Sequence, residues 1–537
     1  MRNLKRSIAS LALAFTMVAG SLAVPQNVVA AEKSLDGQII ILHTNDVHGA
    51  ISGYANVAAL KEIYESQGAY VLLLDAGDYI QGDTTVSISQ GQTAVNFMNM
   101  VGYDAVTLGN HEFDYGFENL QTVMADADFS VLASNLSANG ENPYESLKVF
   151  TAPDDTKIGV FGLMTPETST KAHPAKLGGA TFTSAEALYA DAQECVDLLT
   201  VAGCDYIVAL GHLGVDPESA PNRSVDVISH VDGIDLFIDG HSHTAIADEQ
   251  AVLKEVAPKT STVLTSTGTK AATVGKVTLD NGKINAENIT IDETSAKDAT
   301  IAKAADDIKA AIEAEYGQAF ATTEVKLNGE KAPGNRTEET NLGDLICDSL
   351  VWAAKENGEA VDAAITNGGG IRATIEAGNI SKKDVNTVLP FGNTASIIKI
   401  KGSELLEVLE ASTYCTPTAI GGFPQVSGIE FTVNTTAAYD AGDLYPGTTY
   451  NAPKSVNRVT IQSIGGKAFD PEAIYTIVTN DFLAAGGDTY YAFKTAAANY
   501  DLGIPMDEVL MDYITTVLGG NVSAAQYGAP RGSIVIY

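Results

Sequence analysis

Short apolar runs that end in polar residues alternate with helical periodicity through the first half of the chain. That alternation predicts an α/β layered fold with its strands in the interior. Residues 39–42 are four apolar positions in succession, as expected of a strand buried on both faces. Further strands are predicted over 70–74, 105–108, 157–163, 205–210 and 236–238, with helices over 55–66, 93–100 and 185–201. Residues 262–291 are expected to form short antiparallel strands around an Asp280-Asn281-Gly282 turn. Residues 298–316, rich in Ala, Lys, Glu and Asp, predict a solvated helix that bridges two domains. After it come helices over 342–356 and 403–412 among strands and glycine-rich turns. At 537 residues the chain is too long for a single core, so two or more domains are expected.

Composition adds an address. The content of 45% hydrophobic and 18% charged residues excludes a disordered chain. Arg2, Lys5 and Arg6 precede an apolar stretch over 8–24, and Val29, Ala30 and Ala31 precede Glu32. This predicts a signal peptide over 1–31, cut near Ala31, and a secreted, extracellular or periplasmic protein. No Cys in that stretch offers a lipid attachment point, and no later run approaches the ~18 apolar residues that span a bilayer. No integral membrane segment is therefore expected in the mature chain. A formal charge of −35 without a basic patch excludes a nucleic-acid polymer as partner. A small phosphate-bearing substrate would need locally placed cations, either metals or arginines. The cysteines Cys195, Cys204, Cys347 and Cys415 are too sparse for a disulfide scaffold, and the pattern sets neither their redox state nor an oligomeric state.

The predicted strands run into a recurring kind of polar break. Residues 39–42 lead to Asp46, His48 and Gly49; residues 70–74 lead to Gly77-Asp78. The strand over 105–108 leads to Gly109-Asn110-His111-Glu112, 205–210 to Gly211-His212, and 236–238 to Gly240-His241-Ser242-His243. In open α/β sheets, ligands bind outside the carboxyl ends of the strands. Asp46, His48, Asp78, Asn110, His212, His241 and His243 are therefore the candidate metal donors. A carboxylate, amide and imidazole set without thiolate suits zinc, manganese or iron over calcium. Five of the eight histidines fall in these breaks; His43 is expected as a satisfied core histidine, and His173 and His230 as solvated ones.

The order Asp-x-His, Gly-Asp, Gly-Asn-His-Glu-x-Asp, Gly-His, Gly-His-Ser-His resembles that of the calcineurin-like metallophosphoesterases. The phrase His43-Thr44-Asn45-Asp46-Val47-His48-Gly49 narrows the resemblance to the 5'-nucleotidase family. So do Arg336 to Gly343, Asn367 to Arg372, Leu389 to Asn393 and Asp481 to Asp488 in the second half. The resemblance implies a four-layer αββα metallophosphoesterase sandwich over 32–297, a bridging helix over 298–320, and an α+β substrate-binding domain over 321–537. It implies two divalent ions, zinc or manganese first, with iron, cobalt and magnesium also compatible. Asp78 would bridge them; Asp46, His48 and His243 would complete one site, and Asn110, His212 and His241 the other. His111 would stabilise transition-state charge or protonate the leaving group, oriented by Asp114. Arg336 and Arg372 would grip phosphate. Phe391 and Phe482 would sandwich the base and Asn393 meet its edge, while Asp488 would meet the ribose hydroxyls, with Asn367 and Gly421 as further contacts. Thr340 stands where some bacterial members carry an extra arginine. The implied activity is release of phosphate from nucleoside 5'-monophosphates. The alternatives are hydrolysis of UDP-sugars or 2',3'-cyclic nucleotides, or a nucleoside-binding surface protein with a vestigial site.

Overall fold

In a computed structural model of the protein, residues 34–537 are described except 173–175, 248–252, 254–259 and 281. The predicted signal peptide, His173 and Asn281 lie outside the described residues. The N-terminal half builds two six-stranded sheets. In the first, the strands Lys283–Thr290, Thr273–Asp280, Ile39–Thr44, Tyr70–Asp75, Ala105–Thr107 and Ser130–Leu132 lie side by side. In the second the order is Ala245–Ile246, Val263–Thr267, Leu236–Ile238, Tyr206–His212, Lys157–Met164, Leu147–Thr151.

The doubly apolar first strand has a simple cause. Ile39 and Ile41 point into a core shared with Val208, Leu210 and Ile238 of the other sheet. Ile40 and Leu42 point into a second core with the helices Gly53–Ser66 and Gln92–Val101. On the far face of the other sheet, Leu188, Val196 and Leu199 of the helix Glu186–Val201 pack on Phe161 and Ala209. Helix, sheet, sheet and helix thus stack as the αββα sandwich. The hairpin at 280–283 is present, with Asp280 opposite Lys283. Val263–Thr267, by contrast, is not part of an antiparallel run. It pairs parallel with Leu236–Ile238 and antiparallel only with the two-residue strand Ala245–Ile246.

The helix Ala299–Tyr316 starts at Asp298, whose carboxylate accepts from the Ile301 N–H at 2.8 Å. It is less solvated than its composition suggests: Ile301 and Ala305 are buried against the N-terminal helix layer. Its far end meets the second half, where Lys383 Nζ lies 3.1 Å from Glu313 Oε2. That half is centred on a five-stranded sheet ordered Pro424–Ser427, Ala363–Asn367, Ile474–Asn480, Thr394–Lys401, Ala498–Pro505. One face packs on the helix Asn341–Glu356 and the other on Gly402–Ser412. None of the four cysteines forms a disulfide among the described residues: Cys195 is buried in the N-terminal half and Cys347 in the C-terminal half, while Cys204 and Cys415 are half-exposed. No helix among the described residues is long and apolar enough to cross a membrane.

Candidate active site

The seven candidate donors arrive at or just past the carboxyl ends of five strands, three from one sheet and two from the other. Asp46, His48 and His243 form one cluster and Asp78, His212 and His241 a second, with the donor atoms of each within 4.8 Å of one another. The clusters adjoin: His48 Nε2 is 3.8 Å from both Asp46 Oδ1 and Asp78 Oδ2. His243 Nε2 lies 3.3 Å from Asp46 Oδ1, and His212 Nε2 lies 3.1 Å from Asp78 Oδ2. Asn110 is buried, and its Oδ1, like Asp46 Oδ1 and His212 Nε2, has no hydrogen-bond partner among the described residues.

This crowding costs backbone energy. Asp46, His48, Asp78, His241 and His243 all take left-handed φ values, from 45° to 73°. Each such residue costs of order 1–3 kcal/mol, a strain that collects at functional sites. Gly109 removes a clash at the same place, since a Cβ there would lie 2.1 Å from Asp78 Oδ1. The imidazoles are aimed from behind. His212 Nδ1 donates to the Ala76 carbonyl at 2.6 Å and His48 Nδ1 to that of Gln81 at 3.2 Å, so each turns the lone pair of Nε2 inward. His241 Nε2 donates to Glu167 Oε2 at 2.9 Å, which leaves its lone pair on Nδ1.

These donors fit divalent cations. His48 Nε2 and His243 Nε2 stand 3.0 Å apart, and two lone pairs at that distance repel unless a proton or a cation lies between them. Burial opposes charge on His212, yet Asp78, with Asp46 behind it, raises it to about 10. Burial likewise works to raise Asp46, but the neighbouring His243 and His212 hold it down to about 2. Two buried carboxylates are thus kept anionic, with His212 as the cation beside them, while burial holds His48 and His243 below the usual imidazole range.

His111 follows Asn110 and faces the clusters. Its Nδ1 donates to Asp114 Oδ2 at 2.6 Å, and its backbone N–H donates to Asp78 Oδ1 at 2.9 Å. Across the gap, Phe391 of the second half stacks on the His111 ring with centroids 5.6 Å apart and planes 17° from parallel. The Arg372 guanidinium lies 5.7 Å from the Phe391 centroid. Burial and then Arg336 lower Arg372 to about 10, which leaves it cationic at neutral pH.

A cavity at the junction of the two halves gathers most of the predicted residues. Asp78, Asn110, His111, Asp114, His241 and His243 line one wall, and Arg336, Asn367, Arg372, Phe391, Gly421, Phe482 and Asp488 the other. Phe482 belongs to the C-terminal core yet still reaches this wall. Asn393 does not line the cavity; it precedes the strand Thr394–Lys401, and its carbonyl accepts from the Met506 N–H at 2.9 Å. Thr340 has a structural task of its own. It caps the helix Asn341–Glu356, with Oγ1 accepting from the Gly343 N–H at 3.1 Å. His43 is only half-satisfied: Nε2 meets Thr265 Oγ1 at 3.2 Å, while Nδ1 has no partner among the described residues. Burial lowers it to about 3, so it is neutral. His230 is exposed but not merely solvated, since its ring stacks on Tyr189 at 4.3 Å.

The structure adds residues that the motifs did not single out. Buried Glu112 accepts from the backbone N–H groups of Gly109, Asp78, Tyr79 and Ile80 at 2.6 to 3.3 Å, tying two donor loops to one carboxylate. Glu167 fixes His241. Lys171 and Lys331 add cations to the cavity wall. The signal for Glu167 and Lys171 was present, because the strand Lys157–Met164 also runs into a polar break, Thr165-Pro166-Glu167-Thr168.

The sandwich, the paired clusters and the dyad at their edge define a calcineurin-like phosphoesterase. Residues 39–245 match the family model of that name, and residues 318–495 match that of the 5'-nucleotidase C-terminal domain. A snake venom 5'-nucleotidase from Naja atra is 30% identical over 547 residues, which cover 91% of this chain and 98% of that protein. A trifunctional nucleotide phosphoesterase from Bacillus subtilis is 31% identical across 90% of this chain, which spans only 34% of that longer protein. The crystal structure of a 5'-nucleotidase precursor from Thermus thermophilus superposes with a TM-score of 0.76 at 27% identity, over 93% of this chain and 99% of that one. The chain belongs to the 5'-nucleotidase family and is a metal-dependent phosphoester hydrolase.

Proposed function

We propose that this protein is an exported phosphomonoesterase that releases inorganic phosphate from nucleoside 5'-monophosphates such as AMP. The observation that carries the reading is a cavity with metal donors on one wall and Arg336, Arg372, Phe391 and Asp488 on the other. Asp46, His48 and His243 would hold one divalent ion, zinc or manganese, and Asn110, His212 and His241 a second, with the carboxylate of Asp78 available to both. When bound, two such ions activate water near neutral pH and neutralise charge on phosphoryl oxygens. The protein's own residues do the rest. Arg336 and Arg372 orient the phosphate, with planar forks that match its oxygens. His111, with its Nδ1 proton held by Asp114, offers Nε2 for a proton to the departing 5'-oxygen. Phe391 and Phe482 take the base, and Asp488 with Asn367 takes the sugar.

The test is phosphate release from a panel of AMP, UDP-glucose and 2',3'-cyclic AMP, with and without a chelator and added Mn²⁺ or Zn²⁺. AMP is expected to be the preferred substrate, and activity is expected to vanish with chelation and return with metal. AMP left intact while the diesters are cleaved would replace this reading with that of a phosphodiesterase.

A further inference from the structure

Asp488 is held from three directions. Asn367 Nδ2 donates to its Oδ2 at 2.8 Å, and its own backbone N–H donates to the Thr170 carbonyl at 3.0 Å. Lys171, the next residue of the N-terminal half, places Nζ 3.5 Å from Asp488 Oδ1. Both side chains are largely withdrawn from water, at 14% exposure for Lys171 and 3% for Asp488. The ammonium also stands 5.6 Å from the centre of the Tyr450 ring. Stability alone is a weak reason to keep such a pair, since desolvation offsets much of its attraction. The space in front of it is kept open: a Cβ on Gly421 would lie 3.4 Å from both Lys171 Nζ and Asp488 Oδ1, so a longer side chain would fill it.

A carboxylate only accepts hydrogen bonds and an ammonium only donates them, whereas a hydroxyl does both. Two neighbouring hydroxyls satisfy such a pair fully, each donating to the carboxylate while its lone pairs receive the ammonium. A phosphate at this spot would meet the charge of Asp488, and a sugar lacking one hydroxyl would leave part of a buried pair unanswered. We infer that Lys171 is a specificity residue that reads the ribose diol jointly with Asp488. The inference rests on the proposed reading of Asp488 as the sugar contact. Lys171 lies in the half that carries the metal donors and Asp488 in the other, so the diol is gripped by both. That grip is complete only with the halves placed as they are here. Its energy therefore goes into turnover more than into ground-state affinity.

The experiment compares AMP with 2'-deoxy-AMP as substrates for the metal-loaded protein and its Lys171→Met and Lys171→Arg variants, with kcat and KM measured separately. Circular dichroism and thermal midpoints verify the fold. The parent is expected to prefer AMP by on the order of tenfold or more in kcat/KM, the scale of one hydrogen bond to a charged group. Lys171→Met should shrink that preference to within about threefold through kcat on AMP, and Lys171→Arg should restore most of it. An equal loss on both nucleotides, or an unchanged preference in Lys171→Met, overturns the inference and leaves the proposed activity standing. Failure of the parent to release phosphate from AMP overturns both.

Discussion

The two walls of the cavity are built on opposite terms. On the N-terminal wall five donors sit in left-handed backbone, and three imidazoles are pinned from behind by carbonyls or by Glu167. On the C-terminal wall the key groups lean on one another: Arg372 lies over Phe391, and Phe391 lies on His111 of the facing half. The first wall spends backbone energy to fix geometry, as a site that must present donors within tenths of an ångström does. The second is assembled from side chains on loops, where an exchange of residue alters preference without dismantling the chemistry.

Removing His111 tests that division most severely. His111→Ala should lower kcat by roughly 10²–10⁴-fold, the usual worth of a positioned acid or base, while elemental analysis finds the metal content unchanged. A loss of metal would instead place His111 among the donors. Phe391→Ala should act more mildly and on the other side of the comparison. With about 1–3 kcal/mol of stacking lost, KM for AMP should rise roughly tenfold or more and kcat should change less. A larger effect on kcat than on KM would show that Phe391 serves mainly to hold the His111 ring.

The smallest effect concerns buried carboxylates, which the two halves also treat differently. Histidines hold Asp46 down, but in the C-terminal half burial and then the charge of Glu339 push Asp344 up to about 7. The folded protein thus keeps a proton that the unfolded chain releases near pH 4, so stability falls as the pH rises through that interval and levels off above about 7. Asp344→Asn should remove this slope, giving a protein more stable than its parent by about 1–3 kcal/mol at pH 8 and little different at pH 4. Urea midpoints at the two pH values measure it, and equal midpoints for parent and variant at pH 8 would refute it.

The N-terminal wall was the more legible in sequence, for a physical reason. Its donors follow short apolar runs within a few residues, so strand periodicity and donor chemistry are read together. Ile39–Thr44 leading to Asp46 and His48 shows this plainly. Glu167 and Lys171 are less legible although their strand end carries the same kind of break, because neither belongs to a histidine motif. Parallel pairing of Val263–Thr267 with Leu236–Ile238 was out of reach, since a short Thr-rich run reads alike in either orientation. On the other wall, motif order brought Arg336, Arg372, Phe391, Phe482 and Asp488 to one place, but adjacency in sequence misplaced Asn393. Only Gly392 separates it from Phe391, yet Asn393 already stands at the end of the loop, where the strand Thr394–Lys401 begins. Which residue of a turn faces a cavity depends on packing that no local pattern encodes.

The unpaired thiols give the molecule two built-in clocks. Cys195 is sealed in the core of the half that carries the metal donors and Cys347 in the core of the half that holds the substrate-side residues. A thiol reagent reaches either one only when its surroundings open, so the two labelling rates separately time the breathing of each half in the intact, uncrosslinked chain.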